Sequence, residues 1–346
     1  MADRLVIKKN TSKKTKISSG LHKRLILSHN IIMQIKLKRY VKNPILEPLY
    51  WWEGQGVFNP AITEYKGEIL MLYRAQGNDG ISRFGLTKSS NGKIFKRVSK
   101  FPILEGELDN PLTRMGIEDP RITKIDDTYY ITYICASVYS SFEKSHYKDG
   151  RKIPWRIRVG LTTTRDWSTF RGHGVILPDL DTKNATLLPG KFEGQYQLMH
   201  RYKHHLYLSR SSKIDKFDQG QAIMFSDSSD WQELKIGLGS APIDFGIGWL
   251  STFHGVSRDL VYRAGFVLFD KTDPSKILYR SKEPVLSPAL GYERKGFVDN
   301  IVFPSGMIMV KDEIFVYYGA GDRVVGLATI DAELLCNHIE NSILRK

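Results

Sequence analysis

The stretch FNPAITEYKGEILMLYRA at residues 58–75 combines a β-rich run, a turn with glycine, and a second run that ends in Tyr, Arg and Ala. The same order recurs in EDPRITKIDDTYYITYIC (118–135), NATLLPGKFEGQYQLMHR (184–201) and DNIVFPSGMIMVKDEIFVYYGA (299–320), and more weakly in APIDFGIGWLSTFHGV (241–256). Each copy is typical of two strands joined by a turn. Repeats about 60 residues apart indicate radial repetition.

The number of copies sets the predicted fold. Five blades of four strands need roughly 300 residues, and propellers usually contain four to eight blades. We therefore predict an all-β chain in which residues 43–346 form a single five-bladed β-propeller. The alternative is a pair of β-sandwiches. Long amphipathic helices between the strands, which would indicate a parallel α/β sheet, are missing from the sequence.

Composition excludes several other classes. Apolar residues make up 41% of the 346 residues and aromatic residues 11%, which excludes a disordered chain. No run of roughly 18 apolar residues occurs, so we expect no membrane-spanning helix. Two cysteines, Cys135 and Cys336, are too few for a disulfide framework and match no zinc spacing. We therefore expect a reducing, cytoplasmic location.

The net charge of +14 is concentrated at the N-terminus, where residues 1–43 contain twelve Lys or Arg and one acid, Asp3. The rest of the chain is nearly neutral, so the charge does not indicate a nucleic-acid partner. Residues 1–42 are predicted to form a basic N-terminal extension, partly disordered, without a secretory signal. The alternative is that this extension contacts an acidic polymer or a neighbouring subunit of a homo-oligomer.

Polar residues at matching places in the repeats are expected to converge at the central funnel of a propeller. Asn59, Asp119 and Asn184 are each the first polar residue of a repeat that can face the funnel, and Arg74 and Arg201 end corresponding second strands. Asp119 precedes a proline, so one reading is a structural Asp-Pro turn. The other reading is a general acid whose protonation Glu118 and Arg121 tune. Asp322 has the same two readings.

Several basic residues lie in apolar or glycine-rich surroundings in the third and fourth repeats. Buried cations are costly unless an anion compensates them, so a converging cluster predicts a bound phosphate, sulfate or carboxylate. The alternative is that the side chains extend to solvent. No Cys/His cluster indicates a metal, and no G-x-S-x-G motif indicates a serine nucleophile. The cluster consists of Lys183, Lys191, Arg201, Lys235 and His254.

The ordered motifs resemble glycoside hydrolase family 130, whose members are largely β-mannoside phosphorylases, with some β-mannosidases. The resemblance covers about residues 43–330. It rests on NPAITEYKGEILMLYR, EDPRITKIDDTYYITY, LLPGKFEGQYQLMHR, LKIGLGSAPI, HGV, DPSKILYRSKEPVLSP, GFVDNIVFPSG and YYGAGDRVVGLA. It implies a five-bladed propeller, in agreement with the repeat count. Lys at position 183, where Arg is frequent in the family, and FHG in place of YHG are departures.

The resemblance also implies a role for each matching position. Asp119 corresponds to the catalytic acid. The mannose unit would be bound by Asn59, Arg74, Arg121 and Asp322. Phosphate would be bound by Lys183, Arg201, Lys235, His254 and Tyr262. Lys191 lies in the same motif but is assigned no contact.

These roles define the expected reaction. An inverting hydrolase needs a second carboxylate to activate water, whereas a phosphorylase needs only the acid and a cationic site for phosphate. We therefore expect inverting phosphorolysis of a β-mannoside to α-mannose 1-phosphate and a shortened acceptor, with inorganic phosphate as co-substrate and no cofactor or metal. One alternative is a β-mannosidase with Glu193 or Asp244 as the base. The other is a non-catalytic glycan-binding propeller. The linkage, β-1,2 or β-1,4, is left open.

Overall fold

The structure is a computed structural model that describes residues 34–107, 109–141, 144, 153–228 and 231–345. Within these residues the strands form five separate antiparallel sheets, which we number blades 1 to 5 in chain order. Blade 1 consists of β2 (Gly56–Tyr65), β3 (Glu68–Gln76), β4 (Ser82–Ser89), β5 (Lys96–Arg97) and β6 (Leu104–Glu105). A 3₁₀ turn, Trp51–Glu53, precedes it.

Blades 2, 3 and 4 follow one another along the chain. Blade 2 consists of β7 (Ile117–Ile125), β8 (Thr128–Val138), β9 (Trp155–Thr164) and β10 (Arg171–Leu177). Blade 3 consists of β11 (Lys183–Phe192), β12 (Gln195–Tyr202), β13 (His205–Ser211) and β14 (Gln221–Met224). Blade 4 consists of β15 (Lys235–Leu238), β16 (Ile243–Asp244), β17 (Trp249–Val256), β18 (Tyr262–Phe269) and β19 (Ile277–Arg280).

Blade 5 joins the two ends of the described chain. It contains β20 (Val302–Val310), β21 (Glu313–Ala320) and β22 (Val324–Asp331), and β1 (Lys38–Arg39) pairs with β22 as its outermost strand. Pairing the first strand with the last closes the ring and covers the outer edge of β22. Helix α1 (Gly291–Arg294) precedes β20, and helix α2 (Ala332–Ile343) follows β22. Asp331 caps α2 by accepting a hydrogen bond from the Leu334 N–H at 2.8 Å.

The first strands of the five sheets line the centre of the molecule. These strands form a ring in which each member contacts the next and the last contacts the first. In order around the ring they are β2, β7, β11, β15 with its neighbour β17, and β20. Apolar side chains fill the spaces between adjacent blades. Leu72, Phe84 and Ile131 pack between blades 1 and 2, for example. The predicted all-β five-bladed propeller is confirmed.

The expected boundary between arm and propeller was residue 43, and the fold includes some residues before it. Ile35 and Leu37 are buried in the same cluster as Val285, and Lys38–Arg39 is a strand. Residues 1–33 lie outside the described residues, so the basic extension remains a prediction there.

Three of the inner strands share a backbone feature near their first residues. Asn59, Asp119 and Asn184 have φ angles of 47°, 52° and 54°, in the left-handed region. Asn and Asp adopt this conformation more readily than other non-glycine residues. Each lies at an irregularity in the pairing of its strand with the next one. The matching places expected from the repeats are therefore also matching backbone positions.

Candidate active site

The candidate site lies at the end of the propeller where the inner strands begin and their partner strands end. The register pairs Phe58 with Arg74 in blade 1 and Lys183 with Arg201 in blade 3. This register brings residues that start β2, β7, β11 and β15 next to residues that end β3, β12 and β17. The predicted cluster therefore follows directly from strand pairing within the repeats.

The carboxylate of Asp119 is the centre of the first half of the site. Asn59 Nδ2 donates to Asp119 Oδ1 at 2.8 Å, and Arg74 Nη1 donates to the same oxygen at 3.1 Å. Arg74 is itself held by Ser82 Oγ, which accepts from its Nε at 3.0 Å, and by the Phe58 ring 4.8 Å from the guanidinium carbon. Asp119 is 7% exposed. Its orientation is thus fixed from blade 1.

Glu118 is a second buried carboxylate beside Asp119. Its Oε1 accepts from Arg74 Nη2 at 2.6 Å, and its Oε2 lies 3.7 Å from Lys183 Nζ. Arg74 comes from blade 1 and Lys183 from blade 3, so one carboxylate in blade 2 contacts cations of both neighbouring blades. From the sequence, Glu118 was expected only to tune the protonation of Asp119, and this bridging position was not predicted.

The second half of the site combines cations with aromatic rings. Arg201 Nη1 lies 3.4 Å from His254 Nε2. The His254 ring stacks on Tyr262 with centroids 5.9 Å apart and contacts Phe303 at 4.6 Å. Lys235 Nζ lies 5.3 Å from the centroid of the Tyr262 ring. The predicted phosphate-binding residues of blades 3 and 4 are therefore neighbours.

His254 is completely buried. Burial lowers its pKa well below the usual value, and the charges of Arg201, Lys235 and Arg121 lower it further, so the ring is neutral at neutral pH. Because a guanidinium can only donate, the Nε2 that faces Arg201 is an acceptor, and the ring proton is assigned to Nδ1. Nδ1 has no hydrogen-bond partner among the described residues. It is a donor without an acceptor in a cationic environment.

Arg121 connects the two halves. Its Nε donates to the Gly239 carbonyl and its Nη1 to the Pro120 carbonyl at 2.8 Å, while its guanidinium carbon lies 5.8 Å from the Phe303 centroid. Burial lowers the pKa of Arg121 to about 10, opposed by Asp119, so it remains charged. Arg121 was expected beside Asn59, Arg74 and Asp322 at the mannose unit, and that role stays a prediction. In the structure Arg121 lies between Asp119 and the aromatic residues around His254.

The pKa values of the two aspartates of the site are shifted in opposite directions. Burial alone would raise the pKa of Asp119, but Arg74, Lys183 and Arg121 outweigh it and lower the pKa to about 2. Burial raises the pKa of Asp322 to about 6, against the pull of Arg74 and with the help of the negative charges of Asp119 and Glu118. At neutral pH and without ligand, Asp119 is therefore an ionised carboxylate.

Several buried polar atoms of the site have no hydrogen-bond partner in the part of the chain that the structure describes. They include Asn59 Oδ1, Arg121 Nη2, Asn184 Oδ1 and His254 Nδ1. Buried polar groups in folded proteins are nearly always paired, so a cluster of unpaired ones indicates a place for a ligand or water. Gly237 leaves space beside two of these residues, since a Cβ there would lie 2.7 Å from Asn184 Oδ1 and 2.5 Å from Cε1 of the His254 ring.

Three charged residues considered from the sequence lie outside the site. Lys191, near the end of β11, and Glu193, in the turn between β11 and β12, are exposed at the other end of the blade. Asp244 is exposed and pairs with Lys271 at 2.8 Å. Glu193 and Asp244 lie away from Asp119, whereas Glu118 and Asp322 lie beside it in the funnel.

The described residues contain no group of three His, Cys, Asp or Glu side chains arranged to hold a metal ion. None of their helices has the length and apolar character needed to cross a membrane. The cytoplasmic location, the absence of a cofactor and the homo-oligomer remain predictions.

Comparison with known proteins identifies the family. A family model described as glycoside hydrolase 130, β-1,4-mannooligosaccharide phosphorylase, matches residues 32–341. The chain belongs to glycoside hydrolase family 130. The resemblance inferred from the motifs is confirmed, and the chain is an enzyme of this phosphorylase family.

The similar proteins include two from Thermoanaerobacter sp. strain X514. A β-1,2-mannobiose phosphorylase is 36% identical over 313 residues, covering 86% of this chain and 98% of its own. A 1,2-β-oligomannan phosphorylase is 34% identical over 306 residues, with the same coverage of both chains. The solved structure of the β-1,2-mannobiose phosphorylase from Listeria innocua in complex with β-1,2-mannobiose has the same fold. It has a TM-score of 0.75 at 23% identity and covers 88% of this chain and 99% of that one.

Proposed function

We propose that this protein is an inverting phosphorylase that uses inorganic phosphate to cleave β-mannosides, with β-1,2-linked mannobiose or oligomannan as the preferred substrate. The products are α-mannose 1-phosphate and a sugar one mannose unit shorter. The observation that carries the proposal is the packing of Lys183, Arg201, Lys235 and His254 next to the Asp119 carboxylate. Such a cluster suits a tetrahedral anion that lies beside a proton donor.

In this reaction a phosphate oxygen attacks the anomeric carbon of the mannose unit from the face opposite the leaving sugar. The bond between that carbon and the glycosidic oxygen breaks, and the leaving oxygen receives a proton that originates on Asp119, directly or through a sugar hydroxyl. Phosphate is already an anion, so no base is required to activate it. The cations replace the base by holding the nucleophile in line.

The low pKa of Asp119 in the ligand-free protein fits this order of events. Lys183 is one of the cations that lower the pKa, and it is also one of the proposed phosphate contacts. A phosphate dianion at Lys183, Arg201 and Lys235 would neutralise positive charge near Asp119 and raise its pKa. The acid would then bind its proton when the nucleophile is present, which is when the proton is needed.

The mannose unit is proposed to bind on the blade 1 side of Asp119. Asn59 and Arg74 present donors there, and Asn59 Oδ1 is an acceptor without a partner among the described residues. Asp322, whose pKa is raised first by burial and then by the negative charges of Asp119 and Glu118, completes the set. Neutral hydroxyls suit this mixture of donors and acceptors.

The proposed linkage rests on the two Thermoanaerobacter relatives, which are named for β-1,2-linked substrates. The family model is described with a β-1,4 name, so the linkage is a separate part of the proposal.

The test incubates the purified full chain with β-1,2-mannobiose, β-1,4-mannobiose and 4-O-β-mannosyl-glucose, each with and without inorganic phosphate. We expect α-mannose 1-phosphate from β-1,2-mannobiose only when phosphate is present, and much slower reaction of the other two. Equal release of free mannose with and without phosphate would contradict phosphorolysis. It would support hydrolysis, for which Glu118 and Asp322 are the carboxylates available in the funnel.

A further inference from the structure

Glu118 differs from the other carboxylates of the site because its two oxygens face two different cations. Oε1 lies 2.6 Å from Arg74 Nη2, and Oε2 lies 3.7 Å from Lys183 Nζ. Arg74 also donates to Asp119, and Lys183 is a proposed phosphate contact. Glu118 therefore lies between the group that orients the acid and a group that would bind the nucleophile.

The two contacts differ in strength. A separation of 2.6 Å is a short, charge-assisted hydrogen bond, whereas 3.7 Å exceeds hydrogen-bond distance and leaves mainly Coulomb attraction. The Arg74 side chain is 12% exposed and further fixed by Ser82, whereas the Lys183 side chain is 24% exposed and flexible along its stem. Of the two cations, Lys183 is the one that an incoming anion can draw away from Glu118.

We propose that Glu118 is a positioning residue with two opposing effects: it holds Arg74 against Asp119, and it competes with phosphate for Lys183. This inference rests on the proposed function. Phosphate binding would transfer Lys183 from Glu118 to the nucleophile, while Arg74 stays with Glu118 and keeps the acid in place. The negative charge of Glu118 also favours the protonated form of its neighbour Asp119.

The two effects predict an unusual kinetic signature for Glu118→Gln. The amide has nearly the same shape but no charge, so Lys183 loses its competing anion and phosphate should bind about fivefold more tightly, as expected for one partly exposed charge pair. Arg74 loses its charged partner, and the uncompensated positive charge favours ionised Asp119, so kcat should fall about tenfold or more. The KM for phosphate and kcat should therefore both decrease.

A merely structural role gives a different result. If Glu118 only maintained the shape of the funnel, the substitution would raise the KM for phosphate and lower kcat together. The matched control is Glu105→Gln, which removes a carboxylate from Arg83 at 3.2 Å in blade 1 and leaves Lys183 untouched. We expect the control to change neither parameter.

The experiment measures binding of inorganic phosphate to the full chain by calorimetry, together with steady-state kinetics. If the wild-type protein binds no phosphate, the proposed function fails and the inference with it. If it binds phosphate but Glu118→Gln leaves the Kd unchanged or weakens it, only the inference is overturned. In a Lys183→Gln background, Glu118→Gln should no longer tighten phosphate binding, because the competition acts through Lys183.

A melting curve accompanies each variant. Should Glu118→Gln not fold, Glu118→Asp provides the same test, because it keeps the charge and withdraws it from Lys183. It should also lower the Kd for phosphate, by a smaller factor than the amide. An increase in Kd with Glu118→Asp would overturn the inference.

Discussion

Among the described residues, arginine–carboxylate pairs lie both outside the funnel and inside it. The two settings differ in whether the polar groups around the pair find hydrogen-bond partners within the protein. Outside the funnel, Glu53 pairs with Arg97 at 2.8 Å and Glu293 with Arg39 at 2.7 Å. We call these the structural ion pairs. In the funnel, Arg74 pairs with Glu118 and Asp119.

In both structural ion pairs, the glutamate accepts hydrogen bonds from two backbone N–H groups, a tyrosine hydroxyl and an arginine. Glu53 accepts hydrogen bonds from the backbone N–H groups of Leu49 and Tyr50, from the hydroxyl of Tyr73 and from Arg97. The corresponding contacts of Glu293 come from the N–H groups of Ala289 and Leu290, the hydroxyl of Tyr318, and Arg39. Both glutamates are completely buried. A buried carboxylate with this many donors fixes the chain that precedes blades 1 and 5.

The funnel contains the same type of ion pair, but buried polar groups there remain without hydrogen-bond partners in the part of the chain that the structure describes. Asn59 Oδ1, Arg121 Nη2, Asn184 Oδ1 and His254 Nδ1 in the same funnel have no hydrogen-bond partner among the described residues. An arginine–carboxylate pair therefore indicates a ligand site when buried polar groups around it remain without partners.

Asp119→Asn should cause the largest loss. The amide cannot supply the proton, and general acid catalysis contributes roughly 10²- to 10⁴-fold, so kcat for phosphorolysis should fall by that factor. The measurement is the initial rate of mannose 1-phosphate formation. The control is Asp127→Asn, an exposed residue in the turn at the other end of the same hairpin, which should keep the wild-type rate. A full rate in Asp119→Asn would remove Asp119 from the reaction.

Glu53→Gln should affect folding and not catalysis. Removing one partner of a buried ion pair costs about 3–5 kcal/mol, because the other charge remains buried. The free energy of unfolding, measured by denaturant titration, should fall by about that amount, while kcat and KM of the folded protein stay near the wild-type values. An unchanged free energy of unfolding would show that Glu53 does not have the structural role assigned to it.

Arg201→Ala should act on phosphate specifically. Hydrogen bonds from a charged donor contribute about 1.5–3 kcal/mol, so the KM for phosphate should rise by about 10- to 100-fold with a smaller change in kcat. Arg210→Ala is the matched control in the same blade, since Arg210 pairs with Asp273 at 3.5 Å. If the KM for phosphate is the same in both variants, Arg201 does not bind phosphate.

The dependence of stability on pH should reveal Asp322. Its folded-state pKa of about 6 lies above the usual value of 3.8, so the folded state binds more protons than the unfolded state between these values. Stability should therefore decrease as pH rises from about 4 to 6, and it should do so less in Asp322→Asn. The difference should be about 1–2 kcal/mol, because each pKa unit corresponds to about 1.4 kcal/mol and partial exposure reduces the effect. Chemical denaturation across this pH range measures it, and parallel curves would contradict the account.

Local repetition made most of the fold predictable from the sequence. Strand, turn and strand lie next to one another in each copy, and Asn59, Asp119 and Asn184 mark the same backbone position in three copies. The closure of the ring was not predictable. It depends on Lys38–Arg39, two basic residues within a basic segment, pairing with a strand almost 300 residues away.

The proximity of the site residues could be predicted better than the contacts between them. The ten expected residues lie together because repeat position determines where a side chain points, and their roles stay predictions. The bridge made by Glu118 was missed, since it depends on distances between three blades that no single motif contains. The structural ion pairs were missed as well, although PLYWWE at 48–53 and PALGYE at 288–293 place a proline five residues before each glutamate. The shared spacing is a signal that could have indicated them.

The most direct measurement is a crystal structure of the full chain with inorganic phosphate. We expect the anion beside Asp119, with oxygens within hydrogen-bond distance of Arg201 and His254 Nδ1 and with Lys183 drawn toward it. A funnel that stays empty at saturating phosphate, or an anion held only by exposed lysines elsewhere, would contradict the claim that these cations bind the nucleophile.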